Sequence, residues 1–452
     1  MHNPNHSCRR GLAVILKAAS VLLCLTTPLA AVPQDTGSDR TQAQTATPAK
    51  ERRVPAIGER LYRRLQKAQD FIDSGDLSEA STLLEETLSS RHLNDYERAV
   101  IWQIKSSIAY ASDDIEATIA AYETILQFRE SIPVQQEVAS LYSLAQLYFT
   151  EERFEAARGY IEEWQSLPKP QNSAAQYQFM AQLYYTLNDY GMALTHIDAL
   201  LAAAAANDTL QVKENWYQLK LSSHWEMGDF AKVKDSLEYM VQRWPNTRYW
   251  TQLAAAYREL GDVETSYSVI DAAYRQGWLD EDETQLLQMA RIQMVRETPI
   301  RCAWVLEKAF VEKRATKSAQ NLQTLGQCYL QAGEFEKAVK PMAAAATLEP
   351  EAAHLRQLGQ LYLQLDKLEE ASGAFTRAAQ HLDPTDPKQK QKVFTLMMLR
   401  GQTFIELGRF KEARSIFRKA KQAAIKKAQL TALNRWQGYL DAEEARHKLL
   451  TG

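Results

Sequence analysis

Ten times along this chain a residue is followed nine positions later by a bulky, mostly aromatic or branched one. The leading residues are Ala68, Ser106, Ala145, Ala181, Leu221, Ala254, Ala290, Gly326, Gly359 and Gly401, small in every case but Leu221. Their partners are Leu77, Ile115, Phe154, Tyr190, Phe230, Val263, Pro299, Phe335, Leu368 and Phe410, with Pro299 the odd one out. A unit that returns at a near-constant period cannot bury its apolar face alone; it does so against copies of itself. The 452 residues therefore read as one stack of repeats rather than two or three unrelated globular domains.

The stretch 319–350 shows the unit. Leu322, Leu325 and Tyr329 are spaced as one face of a helix. Gly333 ends that helix in a turn, Phe335, Ala338 and Met342 form the stripe of a second, and Pro350 marks the exit. Gly326 and Ala338 are small because the two helices cross there. The pattern Leu325-Gly326, Tyr329, Gly333-x-Phe335, Ala338 and a late Pro resembles the tetratricopeptide repeat over about Leu61 to Ala420. That resemblance implies an all-α fold, a right-handed superhelix of about ten helix pairs. Leu430, Leu433, Trp436, Tyr439 and Leu440 suit a C-terminal helix that caps the open end. Intervals between the bulky positions run from 33 to 42 residues, so the exits vary while the pairs stay intact. Pro299 and the pair Leu221/His224 mark the two weakest units.

Residues 1–31 read as a signal peptide: Arg9 and Arg10, an apolar run from Ala19 to Leu25, then Pro28-Leu29-Ala30-Ala31. An uncleaved inner-membrane anchor facing the periplasm is the alternative. Residues 32–56 carry almost no large apolar side chain and read as a disordered tether, and 57–445 as the repeat region with its cap. Loss of Arg9, Arg10 and Lys17 takes the charge from −3 to 50 − 56 = −6, which disfavours nucleic acid and anionic membranes as partners. Cys302 and Cys328 are the mature cysteines. Cys302 occupies the small buried position held elsewhere by Ala80, Ala157, Ala193, Ala338, Ala371 and Ala413, so two buried thiols are the default reading, with a bridge between neighbouring helices as the alternative.

No Gly-rich phosphate loop, His-Glu-x-x-His, Gly-x-Ser-x-Gly or paired-cysteine motif is present, so neither an enzyme nor a metal or cofactor is expected. The tetratricopeptide resemblance implies that first helices line a concave surface, with the residue after each small position pointing into it. There stand Gln69, Ser107, Gln146, Gln182, Ser222, Ala255, Arg291, Gln327, Gln360 and Gln402, six of the ten glutamine, and three residues beyond lie Tyr110, Phe149, Tyr185 and Trp225. Amides pair with the backbone of an extended peptide whatever its charge, and aromatic faces take proline rings. The expectation is a neutral, partly proline-reading peptide groove formed by Gln146, Phe149, Gln182, Tyr185, Trp225, Gln327, Gln360 and Gln402. The competing reading makes the glutamines ordinary exposed helix formers and the aromatics part of the core.

Four stretches go beyond the generic repeat: Leu141-Tyr142-Ser143-Leu144-Ala145-Gln146-Leu147-Tyr148-Phe149, Glu214-Asn215-Trp216-Tyr217-Gln218-Leu219, Tyr249-Trp250-Thr251-Gln252-Leu253-Ala254 and Ala272-Ala273-Tyr274-Arg275-Gln276-Gly277. They resemble the periplasmic tetratricopeptide proteins that accompany TonB–ExbB–ExbD energy-transducing systems of Gram-negative bacteria. The resemblance implies a periplasmic, non-enzymatic accessory of TonB-dependent import of iron chelates, with TonB, ExbB or ExbD as protein partners met on a mildly acidic, amide-lined face. A general scaffold for envelope assembly is the other expectation.

Overall fold

A computed structural model describes residues 52 and 54–451. The signal segment lies outside the described residues, as does the tether apart from 52 and 54–56. The chain divides into two compact units, up to Ser236 and from Leu237. The division falls inside one helix.

The first unit holds α1 (Glu59–Ser74) paired with α2 (Leu77–Leu88), α3 (Asp95–Ala111) with α4 (Ile115–Gln127), α5 (Val134–Thr150) with α6 (Phe154–Ser166), and α7 (Ala174–Thr186) with α8 (Tyr190–Ala205). It continues through α9 (Glu214–Glu226) into the start of α10 (Phe230–Arg243). The second unit takes up the rest of α10, then pairs α11 (Thr247–Glu259) with α12 (Val263–Arg275), α13 (Glu283–Val295) with α14 (Pro299–Val311), and α15 (Ala319–Gln331) with α16 (Phe335–Leu348). It ends with α17 (Ala352–Gln364) and α18 (Leu368–Gln380), α19 (Lys390–Glu406) and α20 (Phe410–Ala423), and a closing α21 (Lys427–Thr451). No strand occurs among the described residues, and none of their helices is long and apolar enough to cross a membrane.

All ten bulky residues of the repeat pattern open a second helix, Pro299 included, since proline at the first helical position forgoes only an N–H that has no intrahelical partner. The small residues are buried against the helix that follows: Ala68, Ala145, Ala181, Ala254 and Ala290 are fully enclosed. A Cβ on Gly359 would meet the Phe375 ring at 2.5 Å, and one on Gly401 the Phe417 ring at 2.2 Å. Glycine there is a requirement of helix crossing. Between the two helices of each pair one residue takes a left-handed backbone. Glycine does so in five turns, and Asp113, Glu152, Asn188, Glu297 and Asp366 in the other five.

The described end of the expected tether is anchored. Arg52 donates to the Oε2 of Glu137 at 2.6 Å, on a carboxylate only 2 % exposed, and Arg129 flanks the same group at 3.9 Å. Gly58 N–H donates to Glu97, which also closes the capping box with Asn94 at the start of α3. At the other end, α21 packs through Leu433 and Leu440 and half-buries Trp436, whereas Leu430 and Tyr439 point outward. The helix runs past the expected limit of 445.

Two histidines in the first unit lie buried and neutral. His196 on α8 stacks on Tyr184 with centroids 5.4 Å apart, and His224 on α9 holds its Nδ1 3.9 Å from Asp229. Burial lowers the pKa of both; around His224, Asp229 and Asp198 oppose the shift while Lys220 and Lys232 reinforce it. The unfolded chain therefore binds more protons as pH falls through the ordinary histidine value near 6.5, and stability present at pH 7 is lost on acidification. The melting temperature is expected to fall between about pH 7 and 5. The double variant His196→Val/His224→Tyr, carrying residues found at these places in other pairs, is expected to flatten that slope. An equal slope in both chains would count against it.

Candidate functional site

The candidate side chains lie on the first helices, at one position after the small residue and at three before or four after it. These spacings put them on one face. In the first unit that face carries Tyr142, Gln146 and Phe149 on α5, Gln178, Gln182 and Tyr185 on α7, and Gln218, Ser222 and Trp225 on α9. None of the nine is charged.

The aromatic rings are half-buried and paired. Phe149 meets Phe154 edge-on at 5.3 Å and Phe179 at 5.5 Å, and Tyr142 meets Phe179 at 5.6 Å. Tyr185 packs on Tyr190 at 5.5 Å and Trp225 edge-on to Phe230 at 5.7 Å. Each ring at the fourth place after the small residue thus rests on the residue that opens its own second helix. These aromatics are part of the pair's packing and still show one side. Burial raises the Tyr142 pKa far above the ordinary phenol value, so it stays a neutral donor. The amides of Gln146 and Gln182 make no hydrogen bond among the described residues, whereas Gln178 accepts from the Trp216 indole at 2.9 Å.

The glutamines of the second unit behave differently. Gln323 and Gln327 on α15 both donate to Gln357 on α17, the latter at 3.4 Å, and Gln360 accepts from Arg356 at 3.0 Å. These amides link one first helix to the next or hold a guanidinium. Gln402 alone among the expected glutamines of this unit has a free amide.

A mildly acidic face is not what the second unit presents. Its five paired first helices carry seven basic residues (Arg248, Arg258, Arg291, Arg356, Lys390, Lys392, Arg400) against three acids (Glu259, Glu283, Glu406), a balance of +4 in a chain of −3. The five paired second helices of this unit also sum to +4, so the excess acid sits outside the pairs and the net charge misstates the unit as a whole. Reading the places three before and four after the small residue in the second half, as well as the first, would have exposed Arg258 and Arg356. Beside Arg356, a cleft of about 910 Å³ opens between the start of α17 and α19, lined by Lys392, Gln391, Thr395 and the exit residues Glu349 and Glu351.

The two cysteines correct the default reading. Cys302 on α14 and Cys328 on α15 are joined in a disulfide with Cα atoms 5.8 Å apart, both fully buried. The small position that Cys302 fills is where the neighbouring first helix comes close, which brings the two sulfurs into bonding range.

The sequence model of the anaphase-promoting complex (cyclosome) subunit 3 family matches residues 303–378, and that of the tetratricopeptide repeat matches 394–424. No curated protein matches the chain. Among solved structures, a tetratricopeptide repeat protein from Parabacteroides merdae is 15% identical, with 60% of this chain and 99% of that one covered and a TM-score of 0.33. The C-terminal part of a repeat-containing protein from Cytophaga hutchinsonii is 13% identical over 56% and 98%, with a TM-score of 0.35. YrrB, described as a tetratricopeptide protein with an unusual peptide-binding site, is 14% identical over 45% and 99%, with a TM-score of 0.34. The ten helix pairs on one register, with the repeat match across α19 and α20, define a tetratricopeptide-repeat fold. Chains of this class are protein-interaction scaffolds.

Proposed function

We propose that this chain is an exported scaffold that holds an extended, uncharged, proline-containing segment on the first-helix face of its first unit. The observation that carries this reading is the run of nine uncharged side chains on α5, α7 and α9, bordered by Glu214 at the start of α9, where free amides at Gln146 and Gln182 alternate with the exposed sides of Phe149, Tyr185 and Trp225. Amides bond to an extended backbone, and the rings offer flat contact to prolines. The resemblance to the periplasmic proteins of TonB–ExbB–ExbD systems points to a Pro-rich segment of such a system as the partner and to iron-chelate uptake as the process. A buried disulfide supports an oxidising compartment for the chain.

Changing Gln146, Gln182 and Trp225 together to Ala is expected to weaken binding of a proline-containing peptide by about tenfold or more, with the far-UV circular dichroism kept. Unaltered affinity would end the proposal. In cells, a deletion strain starved of iron is expected to lose chelate uptake with normal outer-membrane protein levels; depleted outer-membrane proteins would instead favour the envelope-assembly scaffold.

A further inference from the structure

We infer that the cleft between the starts of α17 and α19 is a docking site for an extended segment of another protein, apolar at its centre, acidic at the α19 end and basic at the α17 end. Three first helices, α3, α5 and α19, are 17 residues long, and each begins eleven places before its small residue. On two of them the extra turn already carries an extended segment, supplied by the chain itself. Between Arg52 and Gly58 the chain crosses the starts of α5 and α3: Arg52 donates to Glu137 and to the Arg129 carbonyl, and the Gly58 N–H to Glu97.

The third such turn, on α19, borders the cleft. Among the described residues α19 is the one 17-residue first helix that follows a 13-residue one, since α17 begins four places later in the register, at Ala352. The missing turn of α17 is what opens the space. Its volume of about 910 Å³ lies within the roughly 300–1,000 Å³ of ligand clefts. The cleft is lined from the addresses that hold the strap of residues 52–58 in the first unit. Glu97 stands nine places before Ser106, as Pro350 and Lys392 stand before Gly359 and Gly401; Arg129 stands fourteen after Ile115, as Leu382 does after Leu368. Pro350, Lys392 and Leu382 all line the cleft.

The chemistry of the lining defines the occupant. Leu396 and Leu382 form an apolar floor, and Leu348 is 59 % exposed at the mouth. Lys392 stands exposed on the α19 side and Glu349 and Glu351 on the α17 side. Glu351 gives α17 no side-chain cap, so the first-turn N–H groups at Ala352 and Ala353 are open to backbone carbonyls of an extended chain. The exit on the far side is already ordered: Gln389 accepts from the Asp383 N–H at 3.0 Å, and Asp383 from the Thr385 N–H at 2.8 Å and hydroxyl at 2.6 Å. A preformed wall lowers the ordering cost of binding. Laid in the direction of the strap, the occupant brings its N-terminal end to α19 and its C-terminal end to α17. An acid therefore precedes the apolar residues and a base follows them. The chain's own strap has the opposite order, with Arg52 at the end that Lys392 would repel, so the complementary segment belongs to a partner rather than to a second copy.

The probe is the peptide Glu-Val-Thr-Ala-Ile-Arg with blocked termini, labelled with fluorescein through a Gly-Ser linker and titrated against the full chain by anisotropy. It lacks proline, which keeps it apart from the reading of the first unit. It is expected to bind at least about tenfold more tightly than the reversed-charge control Arg-Val-Thr-Ala-Ile-Glu. Ala353→Trp fills the cleft from an exposed position and is expected to abolish that binding with thermal melting unchanged. Lys392→Glu/Glu351→Lys is expected to invert the preference between the two peptides. Equal binding of both peptides, or binding that Ala353→Trp leaves intact, would overturn the inference. A preference for the control peptide would overturn it too, by placing the peptide at Glu137. So would self-association of the chain alone that Ala353→Trp abolishes, because the occupant would then be a second copy.

Discussion

Gly359→Ala is expected to destabilise the chain by about 1–3 kcal/mol, and Phe375→Leu added to it to restore most of the loss. The added Cβ would lie 2.5, 2.7 and 2.9 Å from three atoms of the Phe375 ring, which is itself fully buried. A rigid aromatic cannot withdraw by that much without leaving its rotamer. The chain already contains the compensated pairing. Sixteen residues after each small position stands its partner, and where the small residue is Ala the partner is Leu or Ile: Ala68 with Leu84, Ala145 with Ile161, Ala181 with Ile197, Ala254 with Ile270, Ala290 with Leu306. Where it is Gly the partner is Met342, Phe375 or Phe417. Phe375→Leu alone is expected to cost about 1 kcal/mol or more through the cavity it leaves. Urea unfolding of the four chains of the cycle measures the coupling. Simple additivity of the two costs would refute the size-matching argument. Gly326→Ala is expected to be milder, because the atom it meets belongs to the flexible Met342.

Replacing Cys302 and Cys328 together by Ala is expected to cost about 3 kcal/mol. The bridge closes a loop with a sequence separation of 26 residues, and the chain-entropy model assigns a loop of that length roughly this stabilisation. Both sulfurs are fully buried, so the native protein is expected to resist alkylation until it is unfolded and reduced. Peptide mapping without reductant should recover the two cysteines on one linked fragment. Two free thiols in that map, or an unchanged unfolding midpoint in the double variant, would remove the bridge from the account.

Much of this architecture was legible because its determinants are local. The size of a residue at a helix crossing and the bulk of the residue that opens the next helix are both written in single positions. That is why Leu77 through Phe410 marked ten helix starts without error. Pro299 was legible too, since a first helical turn tolerates it. What escaped depends on three-dimensional neighbours. The ring contacts that tie Phe149, Tyr185 and Trp225 to their own pairs were foreseen only as an alternative. The amide links of Gln323 and Gln327 to Gln357 need two first helices side by side. The positive balance of the second unit's paired helices was hidden by a net charge that averages over the whole chain. The anchoring of Arg52 joins positions 85 residues apart, beyond any local pattern.

The exits between pairs, unlike the pairs themselves, vary in length: the interval from one second helix to the next is 33 residues at its shortest and 42 at its longest. Inside every pair the count from small residue to turn never changes. In a gene, insertions and deletions falling in an exit leave the reading face of every helix in place, while those falling inside a pair rotate half of it away. Whole pairs can therefore be duplicated, lost or exchanged by recombination at the exits, and a cationic block can be joined to a neutral one without re-registering either. Surface charge in such a chain is inherited pair by pair.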